Sequence, residues 1–100
     1  MAAERTGRDW PTYPSVLVSW DNTPRRGRDA IVMINATPEA FEHALAEAVT
    51  ASQSKPFDER LVFINAWNEW GEGNYLEPDA EHGLEYLRAT AKVLLDAPPV

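Results

Sequence analysis

The sequence predicts an α/β fold, specifically the C-terminal portion of a (β/α)8 barrel of the TIM type, in which parallel strands are covered by helices. Two apolar runs, residues 14–20 (PSVLVSW) and 60–67 (RLVFINAW), are nearly continuous, which is typical of strands buried on both faces. Each run is followed by apolar residues at helical spacing. Strands that alternate with helices pair in parallel through right-handed crossovers, so the pattern indicates a parallel sheet.

Only part of such a barrel fits within 100 residues. Two or three parallel strands leave open edges and cannot enclose a core, whereas a complete barrel takes about 250 residues. The sequence therefore predicts one partial domain over residues 1–100, poorly ordered over residues 1–13, with the other barrel strands in a missing upstream segment. A small self-contained α/β domain is the alternative interpretation.

Local signals define the elements of the first half of the chain. Residues 21–29 (DNTPRRGRD) contain a proline and a glycine and are predicted to form a loop, and residues 30–35 (AIVMIN) form a second β-like run. Thr37 then predicts a helix N-cap, with Pro38 at the first helical position and Glu39 in the first turn. The apolar positions of this helix are Phe41, Ala44, Leu45, Ala48 and Val49.

The second half repeats this plan. A polar connection over residues 52–59 precedes the strand at 60–67, and a long loop leads to the last helix after Pro78. Two prolines, Pro98 and Pro99, forbid its continuation. The apolar positions of the last helix are Leu84, Leu87, Ala91, Leu94 and Leu95.

Composition excludes several classes of partner. The chain has 9 basic and 16 acidic residues, and its net charge of -7 repels nucleic acid and anionic membrane surfaces. Arg25, Arg26 and Arg28 are a local exception, for which a solvated loop or a carboxylate clamp is favoured over a nucleic-acid patch. The absence of cysteine excludes disulfides and thiolate metal sites. No signal peptide or membrane span is evident, so a cytoplasmic location is expected.

The polar segment at residues 64–79 (INAWNEWGEGNYLEPD) follows the second predicted strand, where parallel α/β folds place their sites. Glu69 and Glu72 are three residues apart, and Gly71 would let the backbone turn so that both carboxylates converge on one pocket. Paired carboxylates carry out glycoside chemistry, in which one protonates the leaving oxygen and the other acts as base or nucleophile.

The aromatic residues of this segment, Trp67, Trp70 and Tyr75, suit a sugar, whose C–H faces stack on flat rings. Two other interpretations stay open at this point. One is a purely structural turn with Trp67 and Trp70 in the core. The other is a carboxylate metal site, which is disfavoured because the acidic residues lack the regular spacing of a calcium loop. No metal or cofactor is therefore expected.

Further polar residues near the two strand ends are candidate sugar ligands. Asn68 orients a glutamate or satisfies the turn, and Asp21 is favoured as a ligand contact. Glu77 binds a sugar hydroxyl or, preferably, bridges to Arg25 or Arg26. His82 is expected to be an exposed residue in the first turn of the last helix, and His43 to lie beyond the reach of the site. The complete set of predicted substrate-binding residues is Trp67, Asn68, Trp70, Tyr75, Glu77, Asp21 and Arg25.

The strings VFINAWNEWGEGNYLEPD and SWDNTPRRG closely resemble the C-terminal part of the WbsX-type proteins, described as glycosyltransferases of polysaccharide and O-antigen gene clusters. The resemblance extends from about Pro14 to Leu95. These proteins are similar in turn to glycoside hydrolase family 99, a clan of endo-acting α-mannosidases and mannanases on a (β/α)8 barrel. This chain departs from those hydrolases at residues 74–78, NYLEP, where they carry TQIEP.

The resemblance implies a retaining mechanism without a metal. Glu69 would deprotonate the sugar 2-hydroxyl, which attacks its own anomeric carbon to give a 1,2-anhydro sugar, while Glu72 would act as the general acid/base. The expected function is a glycosyltransferase or retaining endo-glycosidase acting on an oligosaccharide or polysaccharide, with mannose-containing chains as one candidate. The alternative is a catalytically silent carbohydrate-binding protein or a truncated, inactive piece of such an enzyme.

Overall fold

A computed structural model describes residues 11–96, apart from the side chain of Asp96. Most of the segment predicted to be poorly ordered, residues 1–13, lies outside the described residues. The described residues form the short strands β1 (Ser15–Leu17), β2 (Phe63–Asn65), β3 (Asn68–Glu69) and β4 (Asn74–Tyr75). They also form the α-helices α1 (Thr23–Arg26), α2 (Pro38–Ser52) and α3 (Glu85–Asp96).

The parallel pairing of the two main strands is confirmed. Ser15 lies opposite Phe63, and Leu17 lies opposite Asn65, so that β1 and β2 run side by side in the same direction. The connection between them contains α2, as a strand–helix–strand crossover requires. The polar segments that follow β1 and β2 therefore emerge at the same end of this two-stranded sheet.

Helix α2 begins as predicted. The hydroxyl of Thr37 accepts a hydrogen bond from the amide of Ala40 at 3.1 Å, and Pro38 occupies the first turn. This bond satisfies one of the amides that a helix start leaves without an intrahelical partner. Helix α3 begins at Glu85 and carries Tyr86 and Ala89 into the core.

The hydrophobic core lies on one side of the two-stranded sheet. Helices α2 and α3 pack against each other, and α2 also packs against β1. Phe41 and Tyr86 meet edge to face, with ring centroids 5.6 Å apart, across the helix pair. The buried apolar residues are Val16, Val18, Phe41, Leu45, Ala48, Tyr86 and Ala89.

The prediction that both strands are buried on two faces is wrong for the described chain. Val16 is buried, but its neighbours Ser15 and Leu17 are exposed, and Phe63 is 56% exposed on β2. The helices cover one face. On the other face the ring of Tyr13 meets Phe63 edge to face at 6.4 Å, and the side chain of Asn74 bonds that of Asn65, but much of Phe63 stays exposed. In a (β/α)8 barrel, the face of the strands opposite the helices points into the barrel interior. The barrel itself stays a prediction.

Residues 30–35 do not form the predicted second strand of the sheet. The side-chain oxygen of Asn22 accepts a hydrogen bond from the amide of Ile31 at 2.7 Å, and the amide of Met33 donates to the carbonyl of Trp20 at 2.7 Å. The segment is thereby held beside the end of β1, with one antiparallel bridge between Asp21 and Val32, instead of extending the β1–β2 pair.

Segments predicted as loops or connections contain regular structure. Residues 23–29 form α1 and a 3-10 turn (Gly27–Asp29), and Phe57–Glu59 form another 3-10 turn. Residues 68–75 form the β3–β4 hairpin around the 3-10 turn Trp70–Glu72. Proline at the start of α1 favours its helical turn. Among the described residues, no helix combines the length and the apolar character needed to cross a membrane.

A matched pair of leucines tests the position of the core. Leu45→Ala removes a completely buried side chain and is expected to lower the free energy of unfolding by about 2–5 kcal/mol. Leu95→Ala makes the same change at a side chain that is 82% exposed, and we expect a change within about 0.5 kcal/mol. Urea unfolding followed by circular dichroism measures both values. Equal losses would contradict the one-sided core.

Candidate functional site

The candidate site lies where the chain leaves β1 and β2. The amide of Asp21, after β1, donates a hydrogen bond of 2.8 Å to the carbonyl of Glu72, which follows β2 in the sequence. The hydroxyl of Ser19 donates to the carbonyl of Gly73 at 2.5 Å. These bonds hold two segments more than fifty residues apart in one unit, as the shared strand ends predict.

Asn74 is a structural residue of the site that the sequence analysis did not identify. Its side chain is completely buried, accepts a hydrogen bond from the amide of Ser19 at 3.3 Å and donates one of 3.0 Å to the side-chain oxygen of Asn65. A buried amide group must find such partners, because burying it unpaired costs about 1–3 kcal/mol. Asn74 therefore joins the ends of β1 and β2 to the hairpin.

The backbone bend of the hairpin is made by Gly73 and not, as predicted, by Gly71. Gly73 has a φ of +58°, and a Cβ atom there would lie 2.7 Å from the backbone oxygen of Asp21. Gly71 has no left-handed φ, and a Cβ atom there would contact nothing within 4 Å. A glycine is thus required where the hairpin closes against Asp21.

Glu72 is the more buried of the two predicted catalytic carboxylates. Its side chain is 15% exposed, and its Oε1 atom forms an ion pair with the Nη2 atom of Arg25 at 2.7 Å. The Oε2 atom is buried without a hydrogen-bond partner among the described residues. A buried carboxylate oxygen without a partner is unusual in a folded protein and is a feature often seen at reactive groups.

Glu69 has a different environment. It lies in β3 opposite Asn74, is exposed, and forms no ion pair within the described part of the chain. Glu69 and Glu72 thus flank Trp70, one open to solvent and the other largely enclosed. Their convergence on one pocket stays a prediction.

Trp70 and Tyr75 form a stacked pair, which we call the aromatic platform. Their ring centroids are 3.7 Å apart and their planes differ by 15°. The indole N–H of Trp70 donates to Oε1 of Glu77 at 2.7 Å, so the predicted bridge from Glu77 to Arg25 or Arg26 is wrong: Arg25 pairs with Glu72 instead.

Neither indole of the motif belongs to the core. Trp67 is 50% exposed and Trp70 is 48% exposed, so the interpretation of this segment as a buried structural turn is not supported. Asn68, opposite Tyr75 in the hairpin, is exposed as well. The motif therefore presents aromatic and polar side chains to solvent at the carboxyl end of the sheet.

Asp79 holds the Tyr75 ring of the aromatic platform, a role that the sequence did not predict. Its Oδ2 atom accepts a hydrogen bond from the hydroxyl of Tyr75 at 2.8 Å, and its Oδ1 atom accepts one from the amide of His82 at 2.6 Å. The hydrogen bond from His82 is the main reason that the pKa of Asp79 lies below its usual range, and Asp79 raises the pKa of Tyr75 to about 12.

His82 and Asp21 are placed differently from expectation. His82 precedes α3, is half-buried, and meets the ring of Tyr86 edge to face at 5.4 Å, whereas an exposed position in the first helical turn was predicted. The carboxylate of Asp21 accepts a hydrogen bond from the amide of Thr23 at 3.0 Å, and its hydrogen bonds with Thr23 lower its pKa. Asp21 is nonetheless exposed at the site.

A cation site is not apparent in the described part of the chain, since no group of three or more histidine, aspartate or glutamate side chains is arranged to hold a metal ion. His43 lies on α2, paired with Glu47 one turn along the helix and 80% exposed.

Replacement of Gly73 by alanine tests the closure of the hairpin. Gly73→Ala is expected to lower the free energy of unfolding by at least about 1 kcal/mol, because it adds a methyl group at positive φ against Asp21. Gly71→Ala is the matched control and is expected to change little, since its methyl group meets open space. Urea unfolding provides the comparison, and a loss in Gly71→Ala as large as in Gly73→Ala would refute the assignment.

The pH dependence of Tyr75 tests the support from Asp79. Because folding raises the pKa of Tyr75 from 10.0 to about 12, its contribution to stability is fully present below pH 10 and is lost as the pH rises through 12. Ultraviolet absorbance of the phenolate should show this late titration, which Tyr75→Phe removes. In Asp79→Asn the pKa of Tyr75 should fall toward 10; an unchanged titration would show that Asp79 is not its cause.

Comparison with known proteins identifies the family. A family model described as "Glycosyltransferase WbsX" matches residues 1–90. Two curated proteins, each named "Uncharacterized protein WxcX" and from two strains of Xanthomonas campestris pv. campestris, are 44% identical to the chain over 98 residues. The match covers 97% of this chain but 14% of each relative, and no solved structure matches significantly. On the strength of the family match, the chain belongs to the WbsX glycosyltransferase family.

Proposed function

We propose that the chain forms the carboxylate and aromatic side of a sugar site in an enzyme that acts on glycosidic bonds during polysaccharide or O-antigen synthesis or processing. The observation that carries the proposal is the aromatic platform, with Glu69 and Glu72 on either side of Trp70 in the sequence. Family membership gives independent support for a carbohydrate substrate, and the chain spans only 14% of its curated relatives.

The aromatic platform suits the recognition of a saccharide. Tyr75 covers one face of the Trp70 indole, while about half of the Trp70 surface stays exposed, which leaves area for the C–H face of a sugar ring. Glu77 fixes the orientation of the indole through one oxygen. An aromatic ring held in place before binding loses little side-chain entropy when the ligand arrives.

We further propose that β1 and β2 are neighbouring strands of a (β/α)8 barrel. The parallel pair with helices on one face and exposed side chains of Leu17 and Phe63 on the other fits a barrel wall, whose inner face packs against other strands. Both edges of the pair are open among the described residues. The site would then lie at the carboxyl ends of the barrel strands.

The proposed reaction proceeds in two steps at the anomeric carbon. Glu69 takes the proton from the 2-hydroxyl, whose oxygen attacks the anomeric carbon as the bond to the leaving oxygen breaks and Glu72 protonates that oxygen. Glu72 then takes a proton from water, or from an acceptor hydroxyl, which attacks the anomeric carbon as the bond to the 2-oxygen breaks and this oxygen regains its proton from Glu69. Configuration is retained because the centre is inverted twice.

The resting geometry of Glu72 sets a requirement on this reaction. Its Oε1 atom pairs with Arg25 and its Oε2 atom is buried, so neither oxygen is free to meet a glycosidic oxygen. The ion pair must therefore open, and Glu72 must take up a proton from solvent and turn outward, before it can protonate the leaving oxygen. The same geometry favours a second candidate function, a carbohydrate-binding protein in which Glu72 is structural and no bond is cleaved.

Glu72→Gln separates the two candidate functions. In a full-length family member that carries this motif, we expect the change to lower turnover about 100-fold or more, because general acid/base catalysis contributes a factor of about 100 or more. Saccharide affinity should stay within about threefold of the parent value. Turnover is measured by product chromatography and affinity by calorimetry.

One control variant and one variant of the aromatic platform complete this experiment. Glu47→Gln makes the same change at an exposed position on α2 and should leave turnover unaltered. Trp70→Ala should weaken binding about tenfold by removing the stacking surface. Full turnover in Glu72→Gln would eliminate the catalytic assignment, and unaltered binding in Trp70→Ala would eliminate the aromatic platform as the sugar subsite.

A further inference from the structure

We infer that the saccharide recognised at this site carries an anionic group, and that Arg26 and Arg28 bind it. The anion is a carboxylate of an acidic sugar or the diphosphate of an activated sugar; both present oxygen pairs that a guanidinium group binds in a planar, bidentate manner. The inference rests on the proposed function and adds the charge class of the substrate. We call residues 23–29, which include Arg25, Arg26 and Arg28, the basic turn.

The basic turn lies directly beside the candidate site. Its helix α1 packs against the 3-10 turn Trp70–Glu72. Arg25 reaches across to Glu72 at 2.7 Å, and the amide of Asp21, just before the basic turn, donates to the carbonyl of Glu72. Arg26 belongs to this helix and Arg28 to the 3-10 turn that follows it, so both lie in the segment that borders Trp70–Glu72.

The basic turn is built around a buried side chain and is not a loose surface loop. Asn22 is 4% exposed, and its backbone carbonyl accepts hydrogen bonds from the amides of Arg25 and Arg26 at 3.0 and 2.9 Å. Its side-chain oxygen holds the amide of Ile31 at 2.7 Å, which fixes the far end of the basic turn. A fixed backbone positions the arginines before a ligand binds.

Arg26 and Arg28 are exposed basic groups to which no carboxylate of residues 11–96 is paired. Both lie on the surface, and neither forms an ion pair within the described residues, whereas Arg25 is engaged by Glu72. The whole chain carries a charge of -7, so anions are repelled over most of its surface. Arg26 and Arg28 follow Arg25 in the basic turn, whose helix packs against Trp70–Glu72, so this part of the surface is where an anionic ligand would be attracted.

The opening of the Glu72–Arg25 ion pair would add a third guanidinium group. The proposed reaction requires Glu72 to turn away from Arg25, which leaves the positive charge of Arg25 exposed next to Arg26. An anionic group on the substrate would compensate this charge and so favour the open arrangement. A neutral saccharide would have to break the ion pair without such compensation.

The inference is tested with ligands that differ in charge and with arginine variants inside and outside the basic turn. The chain is titrated by NMR with a glucuronate-containing tetrasaccharide and with the neutral tetrasaccharide obtained by reducing each carboxyl group to an alcohol. UDP-glucose, UDP and glucose form the second arm. We expect the anionic member of a pair to bind about three- to tenfold more tightly at low salt, and the preference to disappear in 0.5 M salt.

The double variant Arg26→Gln/Arg28→Gln is expected to abolish this preference while binding of the neutral tetrasaccharide is maintained. Arg88 is an exposed residue of α3, the helix that packs against α2. Arg88→Gln is therefore the control for loss of a positive charge and should retain the preference. Amide spectra of the variants should overlay that of the parent chain, since the exchanged side chains are exposed.

The outcomes distinguish the source of the anion and the failure of each proposal. A preference for glucuronate over its reduced form identifies an acidic sugar; a preference for UDP-glucose over both UDP and glucose identifies an activated sugar. The inference is overturned if the neutral tetrasaccharide binds as tightly as the glucuronate-containing one. It is also overturned if Arg88→Gln removes the preference for the anionic ligand as fully as Arg26→Gln/Arg28→Gln does. Either result leaves the proposed function intact. Binding of UDP alone as tightly as UDP-glucose, with no binding of either tetrasaccharide, overturns both.

Discussion

The contact between Asp21 and the Glu72–Gly73 backbone is the constraint on which the site depends. The amide of Asp21 donates to the carbonyl of Glu72, and Gly73 lies so close to Asp21 that no side chain fits between them. Parallel pairing of β1 with β2 brings these segments to the same end of the sheet, and this contact then closes them. The ion pair of Glu72 with Arg25 and the position of the basic turn follow from that closure.

In the proposed reaction, the site combines a rigid half and a half that has to move. The aromatic platform is fixed by hydrogen bonds at both rings, to Glu77 from Trp70 and to Asp79 from Tyr75. Glu72, in contrast, is held by an arginine whose side chain is 61% exposed, and partly exposed ion pairs contribute little to stability. The proposed opening of the ion pair would therefore rearrange the carboxylate without disturbing the aromatic platform.

Sequence reasoning succeeded where short-range chemistry decides the structure. The N-cap at Thr37, the helical spacing that follows it and the alternation of strands with helices rest on local rules, and the structure confirms them. The prediction that both strand faces are buried was wrong. A continuous apolar run indicates burial in the complete fold, whereas the described residues supply helices on one face only. The bend was assigned to Gly71 because the close approach of Gly73 to Asp21 spans more than fifty residues. Asn74 was missed for the same reason.

The uncovered face and open edges of the β1–β2 pair have a consequence for solution behaviour. Leu17 and Phe63 expose apolar surface, and the outer edges of the pair have no neighbouring strand among residues 11–96. Two copies of the chain can cover these edges by association, and such association stabilises the folded state by mass action. In such an assembly the thermal midpoint would depend on protein concentration, so a single midpoint would describe the assembly rather than the polypeptide.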